Sequence, residues 1–355
     1  MSGKSNNENG QTAPISRSEI KKRANKNHSK KNKSGKKKRN VVIYSLVFIL
    51  LFLVGLGGFY VFNLLDKVKT NVISKDSDDL GIEANVSSSF SNTDIVNIAL
   101  FGLDKLSDDE PGRSDATMVI TIDKKNDKLK MSSIMRDSYV NIDGHGKDKL
   151  NHAHAFGGPE LAIKTINKNY KLDIKDYVSI NFSNMEKLID AIGGVNVDVK
   201  KEEINEINTT SVGSPTSISH PGLQKLNGIQ ALSYSRIRHV GNGDFERTDR
   251  QRVVLNSMFE TIKSSGASQY PSIVSKLLPL VETSLSKTDI IKLGTDVIMD
   301  GKMTIEQERF PVDGYYKDGG EMIKGVWYLP FDSEATIKQM QDYIFNDKKP
   351  EPKKN

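Results

Sequence analysis

Residues 41–65, VVIYSLVFILLFLVGLGGFYVFNLL, carry no charged side chain over 25 consecutive positions. An α-helix satisfies its own backbone groups and rises about 1.5 Å per residue, so this run would span about 37 Å, enough to cross a bilayer with some tilt. A secretory signal peptide has a shorter apolar core followed by a small-residue cleavage site, and neither is present. The alternative is a buried core helix, but soluble folds seldom hold an unbroken apolar stretch of this length. The run therefore predicts one N-terminal transmembrane helix, with a short segment before it and a long one after it.

Charge divides at the same place. Residues 1–40 hold thirteen Lys or Arg against Glu8 and Glu19, a net of +11, whereas the whole 355-residue chain is only +6. The remainder is net acidic, at −5, and the basic character belongs to the tail. Such a polar segment cannot bury enough apolar surface to fold. The positive-inside rule keeps it cytoplasmic and puts residues 66 onward outside the cell, as a single-pass membrane protein. No aromatic residues interleave its lysines as a nucleic-acid stacking platform requires, so contact with anionic lipid headgroups is expected and nucleic acid is not. The chain has no cysteine, which excludes a disulfide framework, a thiolate metal site and a Cys nucleophile.

Residues 66–93 read as an extracellular linker, 94–346 as the folded domain and 347–355 as a polar tail. IVNIALFG, TMVITID, LKMSSIM, YVSINF and VNVDV are short, apolar and β-rich, with EQERFPV and GVWYLP as later strand candidates. Between them PELAIKTINKNY, SNMEKLIDAIG and the run from Asp244 to about Ser264 read as helices, with more near 270–282, 288–299 and 333–345. Strands alternating with helices predict an α/β layered domain.

The stretch RIRHVGNGDFERTDRQR crowds five arginines into residues 236–252. In an extended piece Arg236 and Arg238 face the same way. Asp244 is suited to cap the following helix, on which Arg247, Arg250 and Gln251 share a face, while Arg252 falls off it. Arginine forks match phosphate oxygens and a helix N-terminus favours anions, so the crowd suits a multiply charged phosphate ligand. A solvated face laced with ion pairs to Asp244, Glu246 and Asp249 is the alternative. In NIALFGLDKLSDDEPGRSDATMVI, Asp104 ends one strand and Asp115 precedes the next. Were these strands antiparallel neighbours, the two carboxylates would meet at one edge, and an oxygen site beside a phosphate suits Mg²⁺. Loop aspartates are also common turn formers. Arg113 lies within reach of either carboxylates or ligand, and Arg136 with Asp137 closes a third strand as an ion pair or a phosphate clamp. Lys149, Asn151, His152 and His154 precede Gly-Gly-Pro, and the two-residue histidine spacing reads as packing or hydrogen bonding. No G-x-S-x-G, Walker A loop or HExxH is present. The charged side chains point to phosphoryl transfer by positioning and charge neutralisation.

Together NIALFGLD, GRSDATMV, SSIMRDS, KLNHAHAFGG and ALSYSRIRH…GDFERTDRQR, in this order after one membrane helix, resemble the LytR-CpsA-Psr family of bacterial cell-envelope proteins over roughly residues 94–265. The resemblance implies an α-β-α sandwich with a central mixed sheet that holds a polyprenyl-pyrophosphate lipid in an apolar tunnel. It implies a phosphotransferase that moves an anionic glycopolymer, such as wall teichoic acid or capsule, from that lipid to peptidoglycan through a phosphodiester bond. By motif match Asp104 and Asp115 would hold Mg²⁺. Arg136, Arg236, Arg238 and Arg247 or Arg250 would grip the pyrophosphate, with Gln251 as a further contact and Arg113 close by. Met135 stands where relatives often have proline. Asp137 and Asp244 are candidates for the general base, Asp244 serving equally as a helix cap. Hydrolysis of the lipid pyrophosphate, or a non-enzymatic envelope regulator, would be the competing functions.

Overall fold

Alternation along IVNIALFGLD sets the architecture, because both faces of this strand are apolar and both must be covered. In the protein, a computed structural model that describes residues 63–86, 94–105, 111–266, 268–299 and 303–353, the strand lies inside a seven-stranded mixed sheet. Its strands are β1 (Lys69–Thr70), β2 (Ile95–Asp104), β3 (Arg113–Asp123), β4 (Lys128–Ile134), β5 (Asp176–Asn181), β6 (Glu282–Thr283) and β7 (Thr304–Phe310). They lie side by side in the order β1-β6-β5-β2-β3-β4-β7. β2, β3 and β4 form an antiparallel meander, β5 joins β2 in parallel, and β7 joins β4 in parallel.

Ala99, Phe101 and Leu103 of β2 face one core with Ile163, Ile166 and Tyr170 of helix α1 (Leu150–Tyr170). Met340, Tyr343 and Ile344 of the late helix Ser333–Asn346 pack into the same core. The opposite face is covered by α2 (Phe182–Ala191), α3 (Gly228–Arg236) and α4 (Asp244–Ser264), whose Leu188, Ile189, Ala231, Tyr234 and Val254 form a second cluster. The result is an α/β fold with a mixed central sheet and helices on both sides.

Several expectations change. Residues 63–86 are not a free linker. Ile73, Leu80 and Ile82 enter the main core, β1 pairs with β6, and Leu64 and Leu65 pack on Leu278; burying these apolar side chains outweighs the polar run SKDSDD. VNVDV leaves the main sheet and pairs with Gly222–Leu226, and the segment around Trp327 forms a small hairpin with Glu321–Ile323. Helix α1 begins at Leu150, before the Gly-Gly-Pro, and is kinked at Gly157 and Gly158. The basic tail, residues 41–62 of the expected membrane span, and Asp108, Asp109 and Glu110 lie outside the described residues. Among the described residues no helix is long and apolar enough to cross a membrane.

Candidate functional site

The end of β2 and the start of β3 are antiparallel neighbours, and between them the register shifts. Gly102 pairs with Ala116 but Leu103 pairs with Ser114, so Asp115 is the extra residue of a β-bulge. A bulge re-aims side chains that strict alternation would send to opposite faces. Consecutive residues therefore serve one side of the sheet: Ala116 lines an apolar cleft under α2 and α3, and Asp115 lines the polar cavity beside it. Asp104, two residues beyond Gly102, lines that same cavity. Gly102 is needed where the strands close up, because a Cβ there would stand 2.9 Å from the Ala116 Cβ.

The cavity has a volume of about 790 Å³, and Asp104, Asp115, Arg236, Arg238, Arg247 and Gln251 are among its lining residues. Arg236 is the last residue of α3 rather than part of a strand. Arg238 follows in the extended piece, and buried Ile237 between them keeps both guanidinium groups on the cavity side. Arg236 lies over the ring of Phe182, with Cζ 4.6 Å from its centroid, which orients the cation while leaving its forks free.

Arg136 and Asp244 stand behind this lining. Arg136 Nη1 donates to Asp115 Oδ1 at 2.7 Å, its Nη2 to Asp244 at 3.2 Å, and its Nε lies 3.3 Å from Asp137. Arg238 is 3.4 Å from Asp244 and 3.8 Å from Asp115, and Arg247 is 3.3 Å from Asp244. Burial resists charging Asp244, but Arg247 and Arg136, with Arg238, hold its carboxyl below the usual range. Burial and the charges of Arg136 and Arg238 push Arg247 down to about 10. Burial also opposes the charge on Arg136, and the facing Asp115, Asp137 and Asp244 overcome it and raise its pKa. Arg247 Nε is buried without a partner, as is Asn151 Oδ1, while the Asn151 amide reaches Asp115 at 3.5 Å.

Three assignments are corrected. Arg250 does not share the space of Arg247: it is buried, and its guanidinium is spent on Glu203 at 2.8 Å, Glu246, and the carbonyl oxygens of Ile237 and Val240. It fastens the arginine loop to the helix instead of facing the cavity. Arg113 is exposed on β3, opposite Asp104, and is not among the cavity-lining residues. Asp244 does not cap its helix: Gly243, with φ 60°, takes that position, and Asp244 is the first helical residue, its carboxylate turned to the arginines. Arg252, off the shared face, is half-buried and pairs with Asp249. His154 packs on Phe101 and bonds the Gly112 carbonyl, and His152 pairs with Asp148, so neither reaches the cavity.

Phe182, Leu232 and Gln251 line both the polar cavity and the apolar cleft, so the two are continuous. Met118, Met185, Ile189 and Val254 continue the cleft under the helices. Phe182 has no signal in the sequence, since nothing in its spacing marks it as a cavity residue. Among the described residues no group of three or more His, Cys, Asp or Glu is placed to hold a metal ion. Asp104, exposed and without an ion pair to another described residue, and Asp115 offer two carboxylates. That donor set fits Mg²⁺, which keeps waters and commonly takes one or two carboxylates plus substrate phosphate oxygens.

The LytR_cpsA_psr family model matches residues 59–344. The polyisoprenyl-teichoic acid--peptidoglycan teichoic acid transferase TagU of Bacillus mycoides is 32% identical over 301 residues, covering 82% of this chain and 92% of the relative. The crystal structure of B. subtilis TagT superposes with a TM-score of 0.58 at 30% identity, over 72% of this chain and 91% of that one. The family protein YwtF (TagT) with bound octaprenyl pyrophosphate lipid does so at 0.54 and 29% identity, over 71% and 90%.

Proposed function

This chain belongs to the LytR-CpsA-Psr family, and we propose that it is a phosphotransferase moving an anionic glycopolymer from a polyprenyl-pyrophosphate carrier to peptidoglycan. The observation that carries this reading is the continuity of an arginine-lined cavity with an apolar cleft through Phe182, Leu232 and Gln251. One end suits a pyrophosphate and the other its hydrocarbon tail. The cleft is narrow, about 50 Å³, against ~300 Å³ or more for typical ligand sites. Its Met118 and Met185 are flexible enough to repack around a chain.

Arg236, Arg238 and Arg247 grip the phosphate oxygens bidentately, and Gln251 contacts the headgroup where polar cavity meets apolar cleft. The acceptor hydroxyl forms a bond to the polymer-bearing phosphorus and releases its proton to solvent, the bond to the bridging oxygen breaks, and polyprenyl phosphate leaves with the electron pair. Charge developing on that leaving group is what fixed guanidinium groups stabilise. Asp104 and Asp115 would hold Mg²⁺, which supplies further charge neutralisation when bound. Asp244, held ionised by its arginines, is a positioning residue with little affinity for a proton, and Arg136 acts through Asp115. The apolar run 41–65 and the basic tail support an anchored protein with its amino terminus cytoplasmic and this domain outside.

The test is transfer from a lipid-pyrophosphate donor to peptidoglycan oligomers. Arg236→Ala and Arg238→Ala should each abolish transfer while leaving unfolding unchanged. Near-normal rates in both defeat the reading, and polymer phosphate released without acceptor makes the enzyme a hydrolase.

A further inference from the structure

Away from the donor cavity, on the far side of Asp137, the hairpin of Tyr139–Ile142 with Gly146–Lys149, the hairpin of Glu321–Ile323 with Val326–Tyr328, and the start of α1 present a run of aromatic rings. Tyr139 and Tyr328 lie 4.7 Å apart between centroids. Lys149 Nζ sits 5.8 Å from the Tyr328 ring and 5.9 Å from that of Trp327, the chain's single tryptophan. Asp148 joins this group to a second one, accepting from Tyr328 Oη at 3.2 Å and pairing with His152 at 2.9 Å. Beyond it His152 meets the edge of Phe156, and Phe156 stacks on His145 at 4.3 Å. Phe156 is 46% exposed and Met322, the cross-strand partner of Trp327, is 62% exposed. Trp327 is held rather than loose: its Nε1 donates to the Gly319 carbonyl, and the Gly320 backbone lies so close that a Cβ there would come within 2.4 Å of the indole.

This strip ends at the catalytic region. Lys149 Nζ is 2.7 Å from Asp137, whose carboxylate is 3.3 Å from Arg136, itself bonded to Asp115 in the cavity wall. We infer that the strip Trp327–Tyr328–Phe156 is the docking surface for the acceptor glycan strand. The inference rests on the transferase reading and adds the place where the acceptor binds.

The chemistry of the strip selects a polysaccharide. Rigid aromatic faces offer apolar contact at little entropic cost, and the C–H faces of pyranose rings supply the matching surface. Carboxylate and ammonium groups alternate with the rings, as Asp148 and Lys149 do, and meet hydroxyl and amide groups along a sugar chain. A membrane surface would instead call for lysines and arginines flanking the rings, whereas the carboxylate of Asp148 sits in the middle of this strip. A strand held on these rings lies beside Lys149, whose partner Asp137 contacts Arg136 of the catalytic region.

Phe156→Ala and Trp327→Ala, in the full-length protein in detergent, test this with long uncrosslinked peptidoglycan strands and with a single disaccharide-peptide as acceptors. Each variant should raise KM for the long strand about tenfold, with kcat and the apparent affinity for the lipid donor unchanged. Phe156→Ala, at the distal end, should leave KM for the short acceptor unchanged, and Trp327→Phe should restore most of the loss. Should Trp327→Ala fold poorly, the exposed Phe156→Ala decides alone. Wild-type KM for the long strand in folded Phe156→Ala overturns the docking surface while leaving the transferase reading intact. Failure of the wild-type protein to transfer to either acceptor overturns that reading instead.

Discussion

Replacing Arg136 by alanine should destabilise the protein at neutral pH and far less in acid. Its guanidinium is 2.7 Å from Asp115, 3.2 Å from Asp244 and 3.3 Å from Asp137, with a side chain only 17% exposed. Removing one partner of a buried pair costs about 3–5 kcal/mol, and an exposed pair contributes about 0–1 kcal/mol. Partial exposure and the remaining contacts of Arg238 and Arg247 place this case between them, at about 2–4 kcal/mol near pH 7. The pH dependence follows from sign. Asp244 is held below the usual carboxyl range, so its contribution is present above the unfolded value of about 3.9 and is lost as pH falls through the folded one. Without Arg136, Asp244 loses part of its counter-charge and its proton affinity rises. It then takes up a proton at a pH where the wild type is still ionised, and each unit of rise removes about 1.4 kcal/mol of the difference. Urea unfolding followed by Trp327 fluorescence at pH 7 and pH 4.5 measures both terms. A gap that is the same at both pH values, or below about 1 kcal/mol at pH 7, would show that Arg136 does not hold these carboxylates together.

Two further perturbations separate cleft from scaffold. Gly102→Val puts a branched side chain against Ala116 and into the apolar cleft; donor KM should rise about tenfold or more for long prenyl chains and less for short ones, as enzyme kinetics with a chain-length series will show. Lys130 is fully buried, paired with Asp123 at 2.8 Å and bonded to the terminal carbonyl oxygens of Tyr343 and Ile344. Lys130→Met strands Asp123 and unfastens the last helix, so denaturant unfolding should show a loss of about 3–5 kcal/mol.

How much of this was legible in the sequence depended on range. The shared edge of Asp104 and Asp115 depended in the sequence on one condition, that their strands be antiparallel neighbours, and the structure meets it; two short apolar runs separated by a polar loop leave few alternatives to a hairpin. The bulge that turns Asp115 toward Ala116's side could not be read, since both registers place acceptable residues on each face. Arg247 and Arg250 look equivalent in a helical projection. Their fates differ because Glu203, 47 positions away, captures Arg250, and a helical period carries no information about that partner. Asp244 followed the usual preference for Asp at a helix start, but Gly243, at positive φ, holds the cap while three guanidinium groups claim the carboxylate. The segment 63–86 misled for a compositional reason: its buried residues, among them Ile73, Leu80 and Ile82, are spaced too irregularly to show a period.

The arginine crowd is answered by a carboxylate crowd, and that balance bears on the proposed metal. Arg136, Arg236, Arg238 and Arg247 stand near Asp104, Asp115, Asp137 and Asp244, with Lys149 already engaged by Asp137. Before any ligand arrives, the cations are therefore already matched by carboxylates, Glu186 and Glu206 of the cavity lining included. A doubly anionic pyrophosphate would bring uncompensated charge into a half-buried space, which is costly. A dication beside Asp104 and Asp115 would restore the balance, whereas arginines alone would have to abandon their carboxylates. The two cases predict opposite signs for one variant. Asp104→Asn makes the cavity more positive without breaking an ion pair among the described residues, so without divalent ions it should bind the lipid pyrophosphate more tightly than wild type. With Mg²⁺ present the order should reverse, and half-maximal activity should require about tenfold more metal. Tighter binding by Asp104→Asn at every Mg²⁺ concentration would mean that Asp104 only repels the donor and holds no metal.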